Sequence, residues 1–288
     1  MLHERQSSGW LYKTAIVFIL FMIALELLMI VGFLYDDQEA KGDIAVVDVK
    51  GQIIESREIV DRIKTYREMD EVKAIVISVD SPGGAVGASQ EIHDEIIKTK
   101  KKKPVVISMG NVAASGGYYI AIAGNRIIAN PGTITGSIGV ITQFFILENL
   151  LRKFNLSWEV IKSGPNKDIG SPLKRLSVSQ RALLQGLIDD TYEQFAQAVA
   201  EGRNLPLEEV KKIADGRILS GKQALEAKLV DELGGLEHAI DVAAKLVGIK
   251  DKPKVIYPKE KSFSWLKNLS EGKIDLAPEL QVQYRLGL

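Results

Sequence analysis

A Ser-Gly-Gly turn between a strand-like run and a helix-like run constrains the fold of this 288-residue chain more than any other feature. Residues 104–109, Pro-Val-Val-Ile-Ser-Met, predict a short buried strand, and residues 118–123, Tyr-Tyr-Ile-Ala-Ile-Ala, predict an apolar helix. Ser115 lies between them, directly before Gly116 and Gly117. A strand that passes through so tight a turn into a helix is typical of a β-α unit, whose turn falls at the carboxyl edge of a sheet.

The rest of the chain repeats this alternation of strands and helices. Helices are predicted over residues 56–68, 88–97 and 145–154, and strands over residues 44–49, 72–79, 126–129, 138–141 and 158–161. Such alternation predicts βαβ units and a mostly parallel sheet covered on both faces. Residues 179–202 predict one longer amphipathic helix, whose apolar face must pack on its own domain or on a neighbouring molecule.

The amino-terminal part is dominated by an almost unbroken apolar run over residues 14–35. At about 1.5 Å per residue the run reaches about 33 Å, which is enough for a transmembrane helix. Basic Arg5 and Lys13 precede it and acidic Asp36 and Asp37 follow it, which favours a cytoplasmic amino terminus and a domain outside the cytoplasm. The predicted organisation is a cytoplasmic segment 1–13, an anchor 14–35, a linker 36–43, a catalytic domain 44–258 and a flexible tail 259–288.

Two glycine-backed turns could together form a site. Ser115 at its turn could act as a nucleophile, and the amides behind it could point at a substrate carbonyl, although a small-residue turn can also serve helix packing alone. Residues 80–84, Asp-Ser-Pro-Gly-Gly, form a second turn at the same predicted edge. Its spacing matches neither the dinucleotide-binding pattern nor a P-loop, which argues against nucleotide binding.

A serine nucleophile needs a base, and the choice is narrow in this chain. There is no cysteine, which excludes thiol catalysis and thiolate metal sites, and we predict neither a cofactor nor a metal. The three histidines are His3, His93 and His238, so a Ser-His-Asp triad stays open, with lysine as the other plausible base. Equal numbers of acidic and basic residues, 37 of each, give no reason to expect a nucleic-acid partner.

Six short motifs, taken in order, resemble the signal peptide peptidase A family in its short, single-domain form. The family is a membrane-anchored branch of the Clp-protease/crotonase superfamily. The resemblance therefore implies an α/β fold, a Clp-protease/crotonase-like βαβ superhelix with an N-terminal transmembrane helix. The motifs are residues 80–84, 113–119 (Ala-Ala-Ser-Gly-Gly-Tyr-Tyr), 135–139 (Thr-Gly-Ser-Ile-Gly), 163–168 (Ser-Gly-Pro-Asn-Lys-Asp), 214–217 (Ala-Asp-Gly-Arg) and 229–234 (Leu-Val-Asp-Glu-Leu-Gly).

The resemblance also implies an activity, a serine endopeptidase that degrades remnant signal peptides and other membrane-associated peptides. By motif position, Ser115 is the nucleophile and Lys167 the general base. Since a free lysine has a pKa of about 10.4, such a base must be desolvated to accept a proton near neutrality. Asp168 should then point away from it. The family also forms ring-like homo-oligomers, for which eight subunits is one candidate size.

The remaining assignments carry alternatives. The oxyanion hole is assigned to the amides of Gly83 and Gly116, with Gly84 as the substitute for Gly83. Ser137 could hold the neutral amine of the dyad, or it could bond its own backbone as a turn serine. Two other functions stay open, a catalytically silent membrane scaffold that binds extended peptides and a crotonase-like acyl-CoA enzyme.

Overall fold

The computed structural model describes residues 7–36, 42–258 and 283–285, in two units that comprise residues 1–41 and 42–288. In the first unit, helix α1 runs over Ser7–Asp36. No helix among the described residues is both long enough and apolar enough to cross a membrane. The predicted anchor over residues 14–35 is thus not supported by the structure. Of the predicted amino-terminal segment, residues 7–13 lie in α1, and residues 1–6 lie outside the described residues, as do most of the linker and most of the tail.

The second unit alternates strands and helices, as its sequence predicts. Its strands are β1 (Ile44–Lys50), β2 (Ala74–Ser81), β3 (Gly83–Ala85), β4 (Val105–Ala114), β5 (Arg126–Ala129), β6 (Ile134–Gly136), β7 (Ile218–Ser220), β8 (Glu232–Leu233), β9 (Val255–Ile256) and β10 (Gln283–Arg285). Its helices are α2 (Arg57–Glu68), α3 (Val86–Thr99), α4 (Gly116–Ala121), α5 (Glu148–Lys153), α6 (Val178–Arg203), α7 (Leu207–Lys211), α8 (Gly221–Glu226) and α9 (Leu236–Leu246).

The main sheet has eight strands in a path of order β7-β6-β4-β2-β1-β9, with β5 pairing with β4 and β8. All its pairs are parallel except β6 with β7. Strand β4 changes partner along its length, from β5 through Val106–Met109 to β6 through Val112–Ala114. The predicted α/β class with a mostly parallel sheet is confirmed.

Both faces of this sheet are buried, because alternate strand residues point to opposite sides. One face packs on helices α2, α3, α4 and α6 through the side chains Ile63, Ile92, Ile120 and Phe195. The other face packs on α9, where Ile240 and its neighbours cover Ile44, Val46, Ala74, Val76, Val106 and Ile128. The carboxyl edge of the parallel strands stays available for a site.

Two local predictions are wrong, and a third is confirmed only in part. Residues 138–141 and 158–161 do not form strands of the sheet, and the helix predicted over residues 145–154 is only Glu148–Lys153. Ile138 is buried in the core although it belongs to no strand, whereas the side chains of residues 158–161 face outward. Trp158 is 68% exposed and Ile161 is 96% exposed. An apolar run that finds no partner within its own chain cannot be told from a buried strand by pattern alone.

Candidate active site

Ser115 occupies the turn between β4 and α4 in a backbone conformation that few residues adopt, with φ 56° and ψ −119°. Positive φ in a non-glycine residue costs free energy and persists only where the surroundings hold it. Here the Ser115 amide donates to the Gly136 carbonyl at 2.8 Å, and the Tyr119 amide donates to the Ser115 carbonyl at 2.8 Å. The turn is therefore tied to strand β6 on one side and to its own helix on the other.

The hydroxyl of Ser115 is buried and lacks a partner. Ser115 is 0% exposed, and its Oγ is the buried side-chain polar atom for which no hydrogen-bond partner exists among the described residues. Buried polar atoms are nearly always hydrogen-bonded, so an orphaned one needs an explanation.

The second glycine turn lies directly against the first. A Cβ on Gly116 would lie 3.2 Å from the Gly84 amide nitrogen and 3.3 Å from Gly83 Cα, so the two backbones touch at a distance only glycine permits. Gly83 has φ +97°, and its amide donates to Ser81 Oγ at 3.1 Å. The structure therefore brings together the three predicted oxyanion glycines, and it gives the Gly83 amide a partner within the chain.

Strand β3 carries Gly83 and Gly84 and is paired along both edges. On one side, the Ile53 amide donates to the Gly83 carbonyl at 3.0 Å and the Ala85 amide donates to the Ile53 carbonyl at 2.7 Å. On the other side, β10 runs antiparallel, with Tyr284 opposite Gly84, and it also contacts α4. This second edge of β3 thus accepts an extended strand beside the Ser115 turn.

Ser137 lies beside the same turn through its backbone. It follows Gly136, whose carbonyl binds the Ser115 amide, and it has φ 51° and little exposure. Its amide donates to the Arg217 carbonyl at 2.8 Å. A cavity of about 880 Å³ opens here, lined by Ser137, Val140, Ile188, Tyr192, Arg217 and Ile218 among others.

Lys167 is exposed, in a segment without regular strands or helices. Its ammonium group makes no hydrogen bond or ion pair with the described residues, whereas Lys162 and Lys174 both bind Asp168, at 2.8 and 2.9 Å. Those two lysines hold the pKa of Asp168 well below its usual range. Asp168 is therefore engaged away from Lys167, as the sequence analysis expects, and Lys167 differs from its two neighbours in being unpaired.

Among the residues that the structure describes, none places a base in hydrogen-bonding contact with Ser115 Oγ. The ring of His93 packs on Tyr119 with centroids 5.0 Å apart, and burial lowers the pKa of His93. His238 binds Glu232 at 2.9 Å. His3 lies outside the described residues. In the part of the chain that the structure describes, no cluster of three or more His, Asp or Glu side chains is arranged to hold a metal ion.

The parts of the chain before and after the Lys167 segment expose many large apolar side chains, called here the apolar surface around Lys167. A cavity of about 440 Å³ lies between residues 140–146 and helix α6, lined partly by Arg175 and Arg181. The large apolar side chains exposed on this surface are Phe145, Ile146, Leu147, Leu150, Phe154, Leu156, Trp158, Val160, Ile161, Val178, Leu183 and Leu187.

Sequence reasoning missed several polar residues that shape the site. Asp80 and Ser81 read only as parts of a turn, yet Asp80 binds the backbone of β4 and Ser81 binds Gly83. Thr135 donates to the Ala113 carbonyl at 2.7 Å. The available signal was their position, since polar residues at the carboxyl ends of parallel strands fall where sites form.

Comparison with known proteins assigns this arrangement to a class. Residues 97–250 match Peptidase family S49, and residues 43–133 match Clp protease. A Synechocystis protein assigned provisionally as a protease is 49% identical over 72% of this chain and 75% of its own length. An Enterococcus faecium protein assigned provisionally as signal peptide peptidase SppA is 38% identical, over 72% of this chain and 61% of that protein. The chloroplastic serine protease SPPA of Arabidopsis thaliana is 36% identical, over 71% of this chain but only 30% of its own length.

A parallel α/β sheet with a buried serine at a glycine-lined edge, in a chain with these matches, defines a peptidase of the Clp-protease type. The chain belongs to peptidase family S49, and within it to the signal peptide peptidase A group of serine peptidases.

Proposed function

We propose that the chain is a membrane-anchored serine endopeptidase, with Ser115 as nucleophile and Lys167 of a neighbouring copy as general base. The observation that carries the proposal is the Ser115 hydroxyl, buried at a strained turn with no hydrogen-bond partner among the described residues. Leaving a buried polar group unpaired costs about 1–3 kcal/mol. A chain keeps such an atom where a base or a substrate from elsewhere completes it.

The assignment of the base rests on which lysine is available. Lys162 and Lys174 are bound to Asp168, so either would have to break an ion pair before it could serve as a base. Lys167 makes no such pair among the described residues, so its amine can be taken out of water by another molecule. Desolvation favours the neutral amine, which is the form that accepts the serine proton.

A second copy of this chain is the proposed occupant of the apolar surface around Lys167. Exposed apolar area of this extent is typical of an interface between subunits. Two features favour a second copy over another partner. Ser115 has no base among the described residues of its own chain, and the stretches that flank Lys167 expose large apolar side chains. A head-to-tail contact of this kind closes into a ring, and eight subunits is the size suggested by family resemblance.

The proposed chemistry follows from these positions. The neutral Lys167 amine takes the proton of Ser115 Oγ as that oxygen bonds to the substrate carbonyl carbon. The amides of Gly84 and Gly116 stabilise the resulting oxyanion, and Gly84 is preferred to Gly83 because the Gly83 amide already donates to Ser81. The ammonium then protonates the departing amine, and water releases the acyl group by the same steps in reverse. Ser137 is assigned to orient the lysine amine.

The substrate class is an extended peptide. The edge of β3 opposite Ile53 pairs in antiparallel register with β10 in this chain, and we assign the same edge to the substrate, because main-chain pairing of this kind binds peptides with little regard to sequence. The pairing edge runs beside the Ser115 turn, because β10 also contacts α4. Remnant signal peptides are the substrates suggested by the name of the Enterococcus faecium relative.

Membrane attachment is part of the proposal and rests on sequence. The apolar residues 14–35 lie in α1, and the flanking charges favour a cytoplasmic amino terminus with residues 42–288 outside. Protease added to intact protoplasts should then digest the second unit. If that unit is completely protected and the chain resists alkaline extraction, the proposed orientation is wrong. If alkaline extraction releases the chain from the membrane, the proposed anchor is wrong.

The deciding experiment uses purified full-length protein in detergent, a fluorophosphonate label and a synthetic signal peptide. Wild-type protein should take one label per chain at Ser115 and cleave the peptide. Ser115→Ala should do neither while keeping its thermal unfolding midpoint, since the change removes one oxygen that has no partner. A wild-type protein that binds the peptide but takes no label would be a scaffold, and one that turns over acyl-CoA instead would be a crotonase-like enzyme.

A further inference from the structure

Strand β4 carries an irregularity just before the nucleophile. It pairs with β2 through Val79 and Met109, and pairing resumes at Ser81 and Ala113. One residue of β2, Asp80, therefore faces three residues of β4. A bulge of this kind bends a strand and changes its direction. At the same point β4 leaves β5 and begins to pair with β6.

The Asp80 carboxylate fills this bulge. Its Oδ1 accepts the Val112 amide at 3.0 Å, and its Oδ2 accepts the Asn111 side-chain amide at 3.0 Å. A Cβ on Gly110 would lie 3.1 Å from both Cβ and Cγ of Asp80, so the side chain fits closely against the bulged backbone. The Val112 amide thus has a carboxylate as its acceptor, and hydrogen bonds to charged groups are the stronger ones.

We infer that Asp80 is a positioning residue for the nucleophile. By holding Val112, it sets the register in which Val112, Ala113 and Ala114 pair with β6, and this register delivers the Ser115 amide to the Gly136 carbonyl. Asp80 acts through the backbone and touches neither the substrate nor Ser115 Oγ. The inference rests on the proposed role of Ser115.

A small displacement of a nucleophile has a large kinetic effect, because about 1 Å of misplacement can cost about 100-fold in rate. In full-length protein, Asp80→Ala should lower kcat by about 10- to 100-fold and leave KM within about twofold, since β3 is untouched. Fluorophosphonate labelling of Ser115 should slow by a similar factor in the folded protein. Hydrogen exchange at the Val112 and Ser115 amides should become faster.

Two further variants separate positioning from general damage. Asp80→Asn keeps an oxygen that can accept the Val112 amide, so most of kcat should return. Asp48→Ala removes a carboxylate near the same end of the neighbouring strand β1, which pairs with Lys50 at 2.8 Å, and it should leave kcat unchanged. If Asp80→Ala does not fold, Asp80→Asn and Asn111→Ala carry the test through amide exchange and labelling, with a smaller loss expected in each.

Wild-type labelling in folded Asp80→Ala would overturn the inference, as would a loss in Asp80→Asn equal to that in Asp80→Ala. Either result would leave the proposed function standing. Absence of labelling in the wild-type protein would instead refute the role of Ser115, so the two failures are distinguishable.

Discussion

The turn that carries Ser115 is held from several sides, whereas the segment that carries Lys167 is held mainly by one carboxylate and one amide. Around Ser115, strand β6, helix α4 and the Asp80 carboxylate fix the backbone, and the turn is buried. Around Lys167, Asp168 binds two lysines and Gln180 donates to the Pro165 carbonyl at 2.9 Å, while apolar side chains face outward.

The contrast indicates that the two halves of the proposed site are held in place in different ways. The proposed nucleophile belongs to the core of the fold, where the mostly parallel sheet positions it within a single chain. The base lies in the part of the chain with few internal contacts, and such regions are the ones that rearrange on binding. The experiments below test whether this second half is completed by another copy.

The largest effect is expected from Lys167→Ala, which removes the proposed base without breaking a side-chain hydrogen bond or ion pair to the described residues. Turnover should fall by about 1,000-fold or more, because unassisted serine is a weak nucleophile. Lys162→Ala and Lys174→Ala are matched controls from the same segment and should lose no more than about fivefold. Peptide cleavage rates at saturating substrate provide the measurement. If Lys174→Ala were the inactive variant, the assignment of the base along the segment would be wrong.

A smaller but more specific effect is expected when two inactive variants are mixed. Ser115→Ala and Lys167→Ala subunits, exchanged at equal concentration, should regain about a quarter of wild-type activity, since a quarter of random contacts pair an intact serine with an intact lysine. Zero recovery after confirmed exchange would put the dyad within one chain. Sedimentation of the wild-type protein, with activity followed on dilution, provides the control for assembly.

Removal of residues 283–288 should raise activity by about two- to tenfold, because β10 occupies the edge of β3 assigned to the substrate. A site that is open only part of the time binds its ligand more weakly in proportion to the open fraction. The measurement is kcat/KM, and the gain should appear in KM. Adding the six-residue peptide in trans should restore competitive inhibition. Unchanged KM in the shortened chain would show that β10 does not compete with substrate.

The smallest effect is expected from Asp168→Asn, which loosens the Lys167 segment. Since its two lysines depress the pKa of Asp168 in the folded chain, its contribution is present above the ordinary aspartate pKa of about 4 and is lost only as pH falls below that range. The ratio of wild-type to variant kcat/KM should therefore be a few-fold and constant from pH 5 to 9. A ratio that changes across this range would point to another titrating group.

The same contrast explains which parts of the fold and of the candidate site could be predicted from the sequence. The strands and turns around Ser115 were predictable, because a buried apolar run followed by Ser-Gly-Gly permits few conformations. Strands were wrongly predicted over residues 138–141 and 158–161, because apolarity alone does not distinguish a strand from a loop: Ile138 is buried outside any strand, and Trp158 and Ile161 are exposed. The bulge at Asp80 was missed because it depends on a pairing between distant strands. The proposed role of Lys167 came from motif resemblance, and the structure adds that, unlike Lys162 and Lys174, it makes no ion pair with the described residues.

The short length of β3 has a consequence for which proteins are at risk of cleavage. Only Gly83–Ala85 are available for pairing, and their other edge is already taken by Ile53. A substrate chain must therefore be unfolded over several residues before it can lie along this edge. Folded proteins cannot bind there, because their backbone groups are hydrogen-bonded internally. The choice of substrate would thus depend on whether a segment is unfolded rather than on its sequence. Such a choice suits the proposed peptidase, which would degrade peptide fragments and leave folded proteins intact.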